Sequence, residues 1–388
     1  MIEQLGVEST EEEHHLDIYG FADFTYDHNL GEANPFAPYN SFAVGNFNVY
    51  LASQLGAGFR SLAEVRFTYL PHGDMGGITT GATGERTDTT AADYTDLGRP
   101  IRWGGVVIER AWLEYTAHPL LTIRGGHWLT PYGIWNVDHG SPVIVGTRRP
   151  FIVGEALFPA SQTGLEIYGT HGFSELQLGY HLTLSNGRGP IDKYQDLNAN
   201  KAIGGRLFAV LDSSFGTLSL GLSGYRGDYT DRQLEFTIGP DGPVMASPRT
   251  QDYDELSYAA DLKWEYAGLW LQSEAIVNEI AYEDGFRPTA LTTEGPPGFV
   301  PDYRRFGWYG LIGYRFDFLG LMPFAGSEYY YTGGGNVLPT SAAVFTGLNA
   351  RPTARVVLKV QHTYAWFPGS ELDIDPYSGL SAQAAWSF

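Results

Sequence analysis

Apolar and polar residues alternate with a period of two along most of this chain. In residues 217–225, Leu218, Leu220 and Leu222 fall on one face, and small polar residues fall on the other. A period of two is typical of a β-strand with one apolar face, whereas an amphipathic helix repeats every 3.6 residues. Almost no segment shows the helical period. The pattern therefore predicts an all-β protein.

The alternation predicts sixteen strands, joined by seven short turns and eight longer connections. Two of the predicted turns are 170–173 and 351–353. An even number of strands places both termini at the end of the short turns, which is the periplasmic end in outer-membrane barrels. The predicted strands are 16–26, 42–55, 59–70, 105–117, 121–129, 163–170, 174–184, 201–211, 217–228, 255–266, 269–281, 305–316, 321–331, 344–351, 354–365 and 379–388.

Three features favour a transmembrane barrel over a soluble β-sandwich. The apolar faces end in Tyr, Phe or Trp, the opposite faces mix charges with Gly and Ser, and the connections alternate between short and long. No short fixed repeat indicates a β-helix. We therefore predict one sixteen-stranded barrel over residues 16–388, wide enough for an aqueous channel, after a periplasmic lead-in at 1–15. The inward face is ambiguous in residues 306–316, where both faces carry large side chains.

Composition narrows the class further. The chain has 388 residues, no cysteine and a net charge of −20, with 56 aromatic residues from 22 Phe, 9 Trp and 25 Tyr. The absence of cysteine excludes disulfide scaffolds and thiolate chemistry, and the acidity argues against nucleic acid as a partner. No basic leader with an apolar core precedes the barrel, so we expect an export signal to lie outside this chain.

The third long connection, residues 130–162, is unusually apolar for a loop in water. It contains Val143, Ile144 and Val145 as well as Phe151 and Ile152. We expect this loop to fold back into the lumen, where its charged side chains would set the local field for ions. Its candidate site residues are Asp138, His139, Arg148, Arg149 and Glu155.

Alternation also predicts which charged residues line the lumen wall: Arg60, Glu64, Arg66, Arg110, Glu114, Arg124, Arg206, Asp261, Lys263, Glu274 and Lys359. Two interpretations remain open. In one, four arginines face acids of the third loop and create a transverse field, with Arg66, Arg110, Arg124 and Arg206 opposite Asp138 and Glu155. In the other, the arginines pair with Glu64 and Glu114 on neighbouring strands.

Several segments around this loop resemble the phosphate-selective porin family. They are Gly126, Thr130-Pro131-Tyr132-Gly133, Arg148-Arg149, Leu157-Phe158-Pro159, Thr163-Gly164-Leu165, Leu184-Ser185-Asn186-Gly187-Arg188-Gly189, Asp196-Leu197-Asn198 and Gly204-Gly205-Arg206-Leu207. The resemblance implies a sixteen-stranded, usually trimeric, outer-membrane diffusion channel. The family's phosphate site is not carried over, because this chain has only four lysines. The C-terminal Trp386 and Phe388 are similar to the signature read by the barrel-insertion machinery.

Other functions find less support in the sequence. Gly221-Leu222-Ser223-Gly224 is not a nucleophile elbow, and there is no HExxH motif, P-loop or dinucleotide fingerprint. We therefore expect no enzymatic activity, no cofactor and no metal site. An anion- or phosphate-specific channel, or a barrel acting through its outer loops as adhesin or receptor, remains as an alternative.

The expected partners are outer-membrane lipid, lipopolysaccharide and two further copies of the chain. A trimer needs an outer patch that packs against protein instead of lipid. Small residues predicted to point outward offer one on the first strands, namely Ala43, Gly45, Ala63 and Ala111.

Overall fold

A computed structural model of the chain describes residues 15–31, 40–67, 106–137, 139–154, 156–188, 199–233, 236–239, 242–245, 249–282, 286–289, 298–301, 303–333, 340–369 and 374–388, together with four two-residue strands between residues 79 and 100. Residues 1–14 of the predicted lead-in lie outside this range, and His15 already belongs to the first strand.

Sixteen antiparallel strands form a closed barrel in which each strand pairs with its neighbours in the chain and the first pairs with the last. In chain order they are β1 His15–Asn29, β2 Ser41–Gly56, β3 Phe59–Phe67, β4 Val106–His118, β5 Leu121–Leu129, β6 Ser161–Phe173, β7 Leu176–Ser185, β8 Ala202–Ser213, β9 Gly216–Gln233, β10 Arg249–Tyr266, β11 Leu269–Tyr282, β12 Tyr303–Tyr314, β13 Met322–Tyr331, β14 Ser341–Thr353, β15 Val356–Trp366 and β16 Tyr377–Ser387.

The predicted fold class is confirmed, and each predicted strand has its counterpart. Two predicted turns are wrong. Residues 170–173 belong to β6, and the turn follows at Ser174, whose φ of 52° is left-handed. Residues 351–353 belong to β14, and the turn lies at residues 354–355. In both cases the predicted turn begins too early, because the alternation of large and small side chains ends before the strand does.

The two faces of the wall differ as the alternation predicts. On β15, the side chains of Lys359 and Gln361 hydrogen-bond the third loop inside the barrel. Leu358 and Val360, which alternate with them, point outward and are 47% and 44% exposed. A barrel has no unpaired strand edge, so every backbone group of the wall can be satisfied between strands while the outer face stays apolar.

A bulge in β1 and β2 overturns part of the predicted outer patch. The pairing register shifts between Ala22 and Phe24, because Asp23 points inward, where it accepts a hydrogen bond from Ser141. A side chain at Gly45 would meet the Asp23 carboxylate. Past the bulge, Ala43 pairs with Thr25, which accepts a hydrogen bond from inward-facing Gln383. Ala43 and Gly45 are therefore directed inward, not outward as predicted.

Ala63 and Ala111 do lie side by side on the outer face. They are paired across β3 and β4, and their neighbours Glu64 and Arg110 form an ion pair on the inner face.

The ambiguous face of β12 is resolved by one buried contact. Tyr309 points inward and donates a hydrogen bond to Glu274 over 2.6 Å. Phe306, Trp308 and Ile312 consequently point outward and are 40–47% exposed.

Phe388 closes the barrel. Its backbone exchanges two 3.0 Å hydrogen bonds with Gly20 on β1. Its ring stacks on outward-facing Phe47, with centroids 5.8 Å apart.

Four small hairpins lie in the long connections. They pair Thr79–Thr80 with Arg86–Thr87, Thr95–Asp96 with Arg99–Pro100, Phe236–Gly239 with Gly242–Met245, and Phe286–Thr289 with Gly298–Pro301. In the part of the chain that the structure describes, no helix has the length and apolar character needed to cross a membrane.

Candidate functional site

The third loop, residues 130–160 between β5 and β6, lies inside the barrel. Its first part is attached to the wall formed by β8–β11. The backbone N–H of Trp135 donates to Glu274 over 2.6 Å, and the guanidinium of Arg206 donates to the carbonyl of Pro131 over 3.3 Å. The prediction that the apolar loop folds inward agrees with these contacts.

The middle of the loop is held by β1, β14 and β15. The ammonium of Lys359 donates to the carbonyl oxygens of Ser141, at 2.6 Å, and Gly146, at 3.0 Å. The amide of Asn349 donates to the carbonyl of Val145 over 3.0 Å. Lys359 is only 2% exposed, so these polar contacts replace the water that an ammonium group normally keeps.

The end of the loop packs against β10, β12 and β13. It contains the short helix Phe151–Gly154, whose Phe151 N–H donates to Glu328 over 2.6 Å. Ile152, Leu157 and Phe158 join a buried apolar cluster with inward side chains of the wall. Burying apolar area contributes about 25 cal/mol per Å², and this cluster explains why the loop sequence is so apolar.

The opposite side of the lumen is not covered in this way. Among the described residues, no hydrogen bond joins the third loop to the inner faces of β2–β5. Those strands carry a group of inward guanidinium groups that we call the arginine row: Arg60, Arg66, Arg110 and Arg124.

Each member of the arginine row pairs with a carboxylate of the wall. Arg110 pairs with Glu64 at 2.5 Å, and Arg124 pairs with both Glu114 and Glu166 at 2.8 Å. Arg60 pairs with Glu114, and Arg66 pairs with Glu109 at 3.0 Å. Arg110 and Arg124 have the partners that the second interpretation of the sequence names, Glu64 and Glu114, whereas Arg66 pairs with Glu109 and Arg206 with Asp261. Asp138 and Glu155, which the first interpretation requires, lie outside the described residues.

The two signs of charge differ in exposure. The side chains of Arg60, Arg66, Arg110 and Arg124 are 46%, 29%, 21% and 18% exposed. The carboxylates of Glu64, Glu114 and Glu166 are 1% exposed. Glu109, beside Arg66, is 20% exposed. Most of the charge that this part of the wall exposes to the lumen is therefore positive.

Aromatic rings hold the arginine row in place. The guanidinium of Arg124 lies between the rings of Trp112 and Tyr168, 4.4 and 4.8 Å from their centroids. That of Arg110 lies over Tyr50 at 5.4 Å. A cation over an aromatic face is attracted by the ring quadrupole, so these contacts help to position the guanidinium groups of Arg110 and Arg124.

On the loop side, His139 and Arg149 lie against the ring of Trp135. The His139 ring stacks on it with centroids 6.0 Å apart, and the Arg149 guanidinium is 5.8 Å from its centroid. Burial lowers the pKa of His139, with a smaller contribution from the positive charges of Arg149 and Arg110. Burial and the charge of Arg66 lower the pKa of Arg149. Positive charges of the arginine row therefore contribute to the lowered pKa values of both loop residues.

The remaining predicted residues have structural partners. Arg148 donates to the Tyr377 hydroxyl over 2.6 Å, Lys263 pairs with Glu265 at 2.7 Å, and Arg206 pairs with Asp261 at 2.7 Å. Glu274 and Lys359 hold the third loop, as described above. Sequence reasoning missed Glu109, Glu166 and Glu328. Glu166 lies directly opposite Arg124. Its position two residues after Gly164, on the same face of the strand, is the sequence signal that could have identified it as an inward residue.

Trp386 points outward and is 40% exposed. Among the described residues, no group of three or more His, Asp or Glu side chains is arranged to hold a metal ion.

Comparison with solved structures identifies the class of fold. The chain is similar to OmpT, an outer membrane protein of Vibrio cholerae, in a form lacking loop L8 (9% identity, TM-score 0.60, 97% of this chain and 99% of that chain) and in a trimer form (9%, 0.56, 97% and 99%). It is similar to an anion-selective porin from Comamonas acidovorans (11%, 0.57, 97% and 100%) and to OmpF of Salmonella typhi in complex with daunomycin (12%, 0.54, 96% and 97%).

These similarities show the fold, which is the closed sixteen-stranded barrel of outer-membrane proteins, porins included. No protein-family model matches the chain, and no curated protein is a significant match in sequence.

Proposed function

We propose that this protein is an outer-membrane porin that forms a water-filled channel for passive diffusion of ions and small hydrophilic solutes. One observation carries the proposal. The arginine row lies inside a closed barrel, yet its side chains remain 18–46% exposed. Solvent therefore reaches the wall opposite the third loop, and the loop narrows the lumen without filling it.

We infer further that the channel prefers anions. Three of the four carboxylates that pair with the arginine row, Glu64, Glu114 and Glu166, are buried behind it, and Arg149 adds a positive charge on the loop side. Charged groups that line a narrow passage select ions of the opposite sign. One of the solved structures with the same fold is described as an anion-selective porin, which agrees with this inference.

The outer face supports a membrane location. Ile18, Leu207 and Leu222 are among many outward apolar side chains, 64–65% exposed, which lipid would cover. We propose contact with outer-membrane lipid and lipopolysaccharide, a homotrimer, and recognition of Trp386 and Phe388 by the barrel-insertion machinery. The trimer form of OmpT and the small residues Ala63 and Ala111 support the trimer.

Membership of the phosphate-selective porin family rests on the sequence resemblance. A purely non-enzymatic role is part of the same proposal, and the absence of a hydrolase or metalloprotease motif in the sequence supports it.

The test is single-channel conductance of the folded protein in a planar bilayer under a gradient of potassium chloride. We expect current steps in groups of three and a reversal potential of the sign that chloride selectivity produces. Protein unfolded by heating serves as the blank. A folded, heat-modifiable barrel without conductance would contradict the proposal and would direct attention to the outer loops.

Phosphate is then added to the same channels. A saturable block of chloride current by phosphate would establish the specific-channel alternative, whereas phosphate that changes the current only in proportion to ionic strength supports a general anion preference.

A further inference from the structure

The third loop also forms one wall of a cavity inside the barrel. A cavity of about 230 Å³ lies between the third loop and the inner wall of β10–β15. Its aromatic and apolar lining comes from Trp135 and Ile144 of the loop, and from Trp270, Leu311 and Phe345 of the wall. It lies near the end of the barrel that carries the short turns, because Trp270 follows the turn at residues 267–268.

Two guanidinium groups at this cavity have no carboxylate partner among the described residues. Arg149 contacts only the ring of Trp135. The Arg315 guanidinium donates a long hydrogen bond of 4.0 Å to the sulfur of Met322, which is a weak acceptor. Both side chains line the cavity, so two positive charges are available beside apolar surface.

The acidic residues of the cavity are already engaged. Glu265 pairs with Lys263 at 2.7 Å. Glu328 accepts the backbone N–H of Phe151 at 2.6 Å and is 9% exposed. The lining carries four cationic side chains, Arg148, Arg149, Lys263 and Arg315, against these two carboxylates, so the cavity has a net positive charge that attracts an anion.

We propose that this cavity is a binding site for small aromatic carboxylates. The ring packs among Trp135, Trp270 and Phe345, and the positive charges of Arg149 and Arg315 in the lining attract the carboxylate, for which a guanidinium group is a suited hydrogen-bond donor. Pockets for drug-sized ligands begin at about 300 Å³, so this one admits a solute with a single ring. Inorganic phosphate has no apolar group that could pack against the aromatic lining of the cavity. The site rests on the proposed function in one respect, since the solute arrives through the lumen.

The experiment uses benzoate as the probe in planar bilayers that contain the whole protein. Benzoate is compared with benzyl alcohol, which has the ring without the charge, and with acetate, which has the charge without the ring. We expect a saturable block of chloride current by benzoate and no saturable block by the other two. A block by acetate equal to that by benzoate would overturn the aromatic part of the proposal.

Variants test the residues. R315Q and R149Q are each expected to weaken half-maximal block about tenfold, which corresponds to about 1.4 kcal/mol. The matched control is R355Q, because Arg355 is exposed in the short turn after β14 and carries the same charge at the same end of the barrel. Heat-modifiability on gels confirms that each variant is folded. Block that is unchanged in both R315Q and R149Q would overturn the site.

Titration calorimetry of benzoate into the folded protein in detergent separates this site from the proposed function. Arginine-dependent binding without any chloride current would support the site and contradict the channel. Chloride current without benzoate binding would support the channel and contradict the site.

Discussion

The ammonium of Lys359 donates a hydrogen bond to the carbonyl oxygen of Ser141 over 2.6 Å and thereby joins β15 to the third loop. The two residues are 218 positions apart in the chain. Since the same ammonium also donates to Gly146, one wall side chain fixes both ends of the loop segment that crosses from β1 to β14.

We expect K359M to loosen this segment. The substitution leaves the carbonyls of Ser141 and Gly146 without their donor, at a cost of about 1–3 kcal/mol for each buried group left unpaired. The barrel itself keeps its strand pairing. Single-channel recordings should therefore show higher or noisier conductance, and the temperature at which the barrel unfolds should fall.

The control for that variant is K263M, which removes an inward positive charge that pairs with Glu265 and makes no hydrogen bond to the loop in the described part of the chain. Equal noise in K359M and K263M would show that charge, not attachment of the loop, governs the effect.

Neutralising Arg110 and Arg124 together should shift the reversal potential towards cation selectivity. In the variant R110Q/R124Q, the carboxylates of Glu64 and Glu166 lose their paired guanidinium groups, and Glu114 keeps only Arg60. A unit charge about 4 Å from an ion in water contributes about 1 kcal/mol, which is roughly fivefold in local ion concentration. The measurement is the reversal potential in a salt gradient.

R226Q/R304Q is the matched control for this charge change. Arg226 and Arg304 pair with Asp254 and Glu279 and are more than 60% exposed, and both point away from the lumen. An unchanged reversal potential in R110Q/R124Q would refute the role of the arginine row in selectivity.

The lowered pKa of His139 predicts that anion selectivity changes at acid pH. Its pKa lies below the ordinary value of about 6.5, so the ring is neutral at pH 7 and gains a proton only at lower pH. A group whose pKa is lowered in the folded state stabilises that state less as the pH falls through its ordinary value. Acidification should therefore loosen the stacking on Trp135 and add positive charge beside Arg149.

Recordings from pH 7.5 down to about pH 4.5 test this expectation. Anion selectivity should rise in the acid range for the natural chain and should stay flatter in H139N, whose amide keeps a polar side chain at the same place. A pH response that is identical in both proteins would assign the effect to other groups.

F388A separates recognition by the insertion machinery from a structural role of the terminal residue. The substitution removes the ring that stacks on Phe47 but keeps the backbone hydrogen bonds to Gly20. We expect a clear loss of folded protein in the outer membrane of cells, with refolding into detergent largely retained. Equal loss in both settings would mean that the ring matters for the barrel itself.

The sequence predicted most of the fold because a barrel strand carries its own signal. Successive residues such as Leu358 and Lys359 point to opposite faces of the wall, one apolar and one polar, so the period of two identifies each strand and its faces. The bulge at Asp23 carries no such signal. It depends on the contact with Ser141, far along the chain, and for this reason Ala43 and Gly45 were assigned to the wrong side.

The site was predictable only in part for a related reason. Alternation predicts that Arg66 and Arg110 point inward, but not which acids they meet. Glu109, which pairs with Arg66, lies where the register between β3 and β4 shifts, so simple alternation gives no account of its direction. Pairs between strands that are separated by one other strand, such as that of Arg206 on β8 with Asp261 on β10, depend on the register of three strands at once.

The one-sided attachment of the third loop makes the passage eccentric. Solutes that pass through the barrel would travel along one side of its interior, between the strands of the wall and the attached third loop. A dipolar molecule would then cross with its negative end turned towards the sheet. Substitutions confined to β2–β5 could therefore alter transport while the rest of the wall continues to hold the third loop.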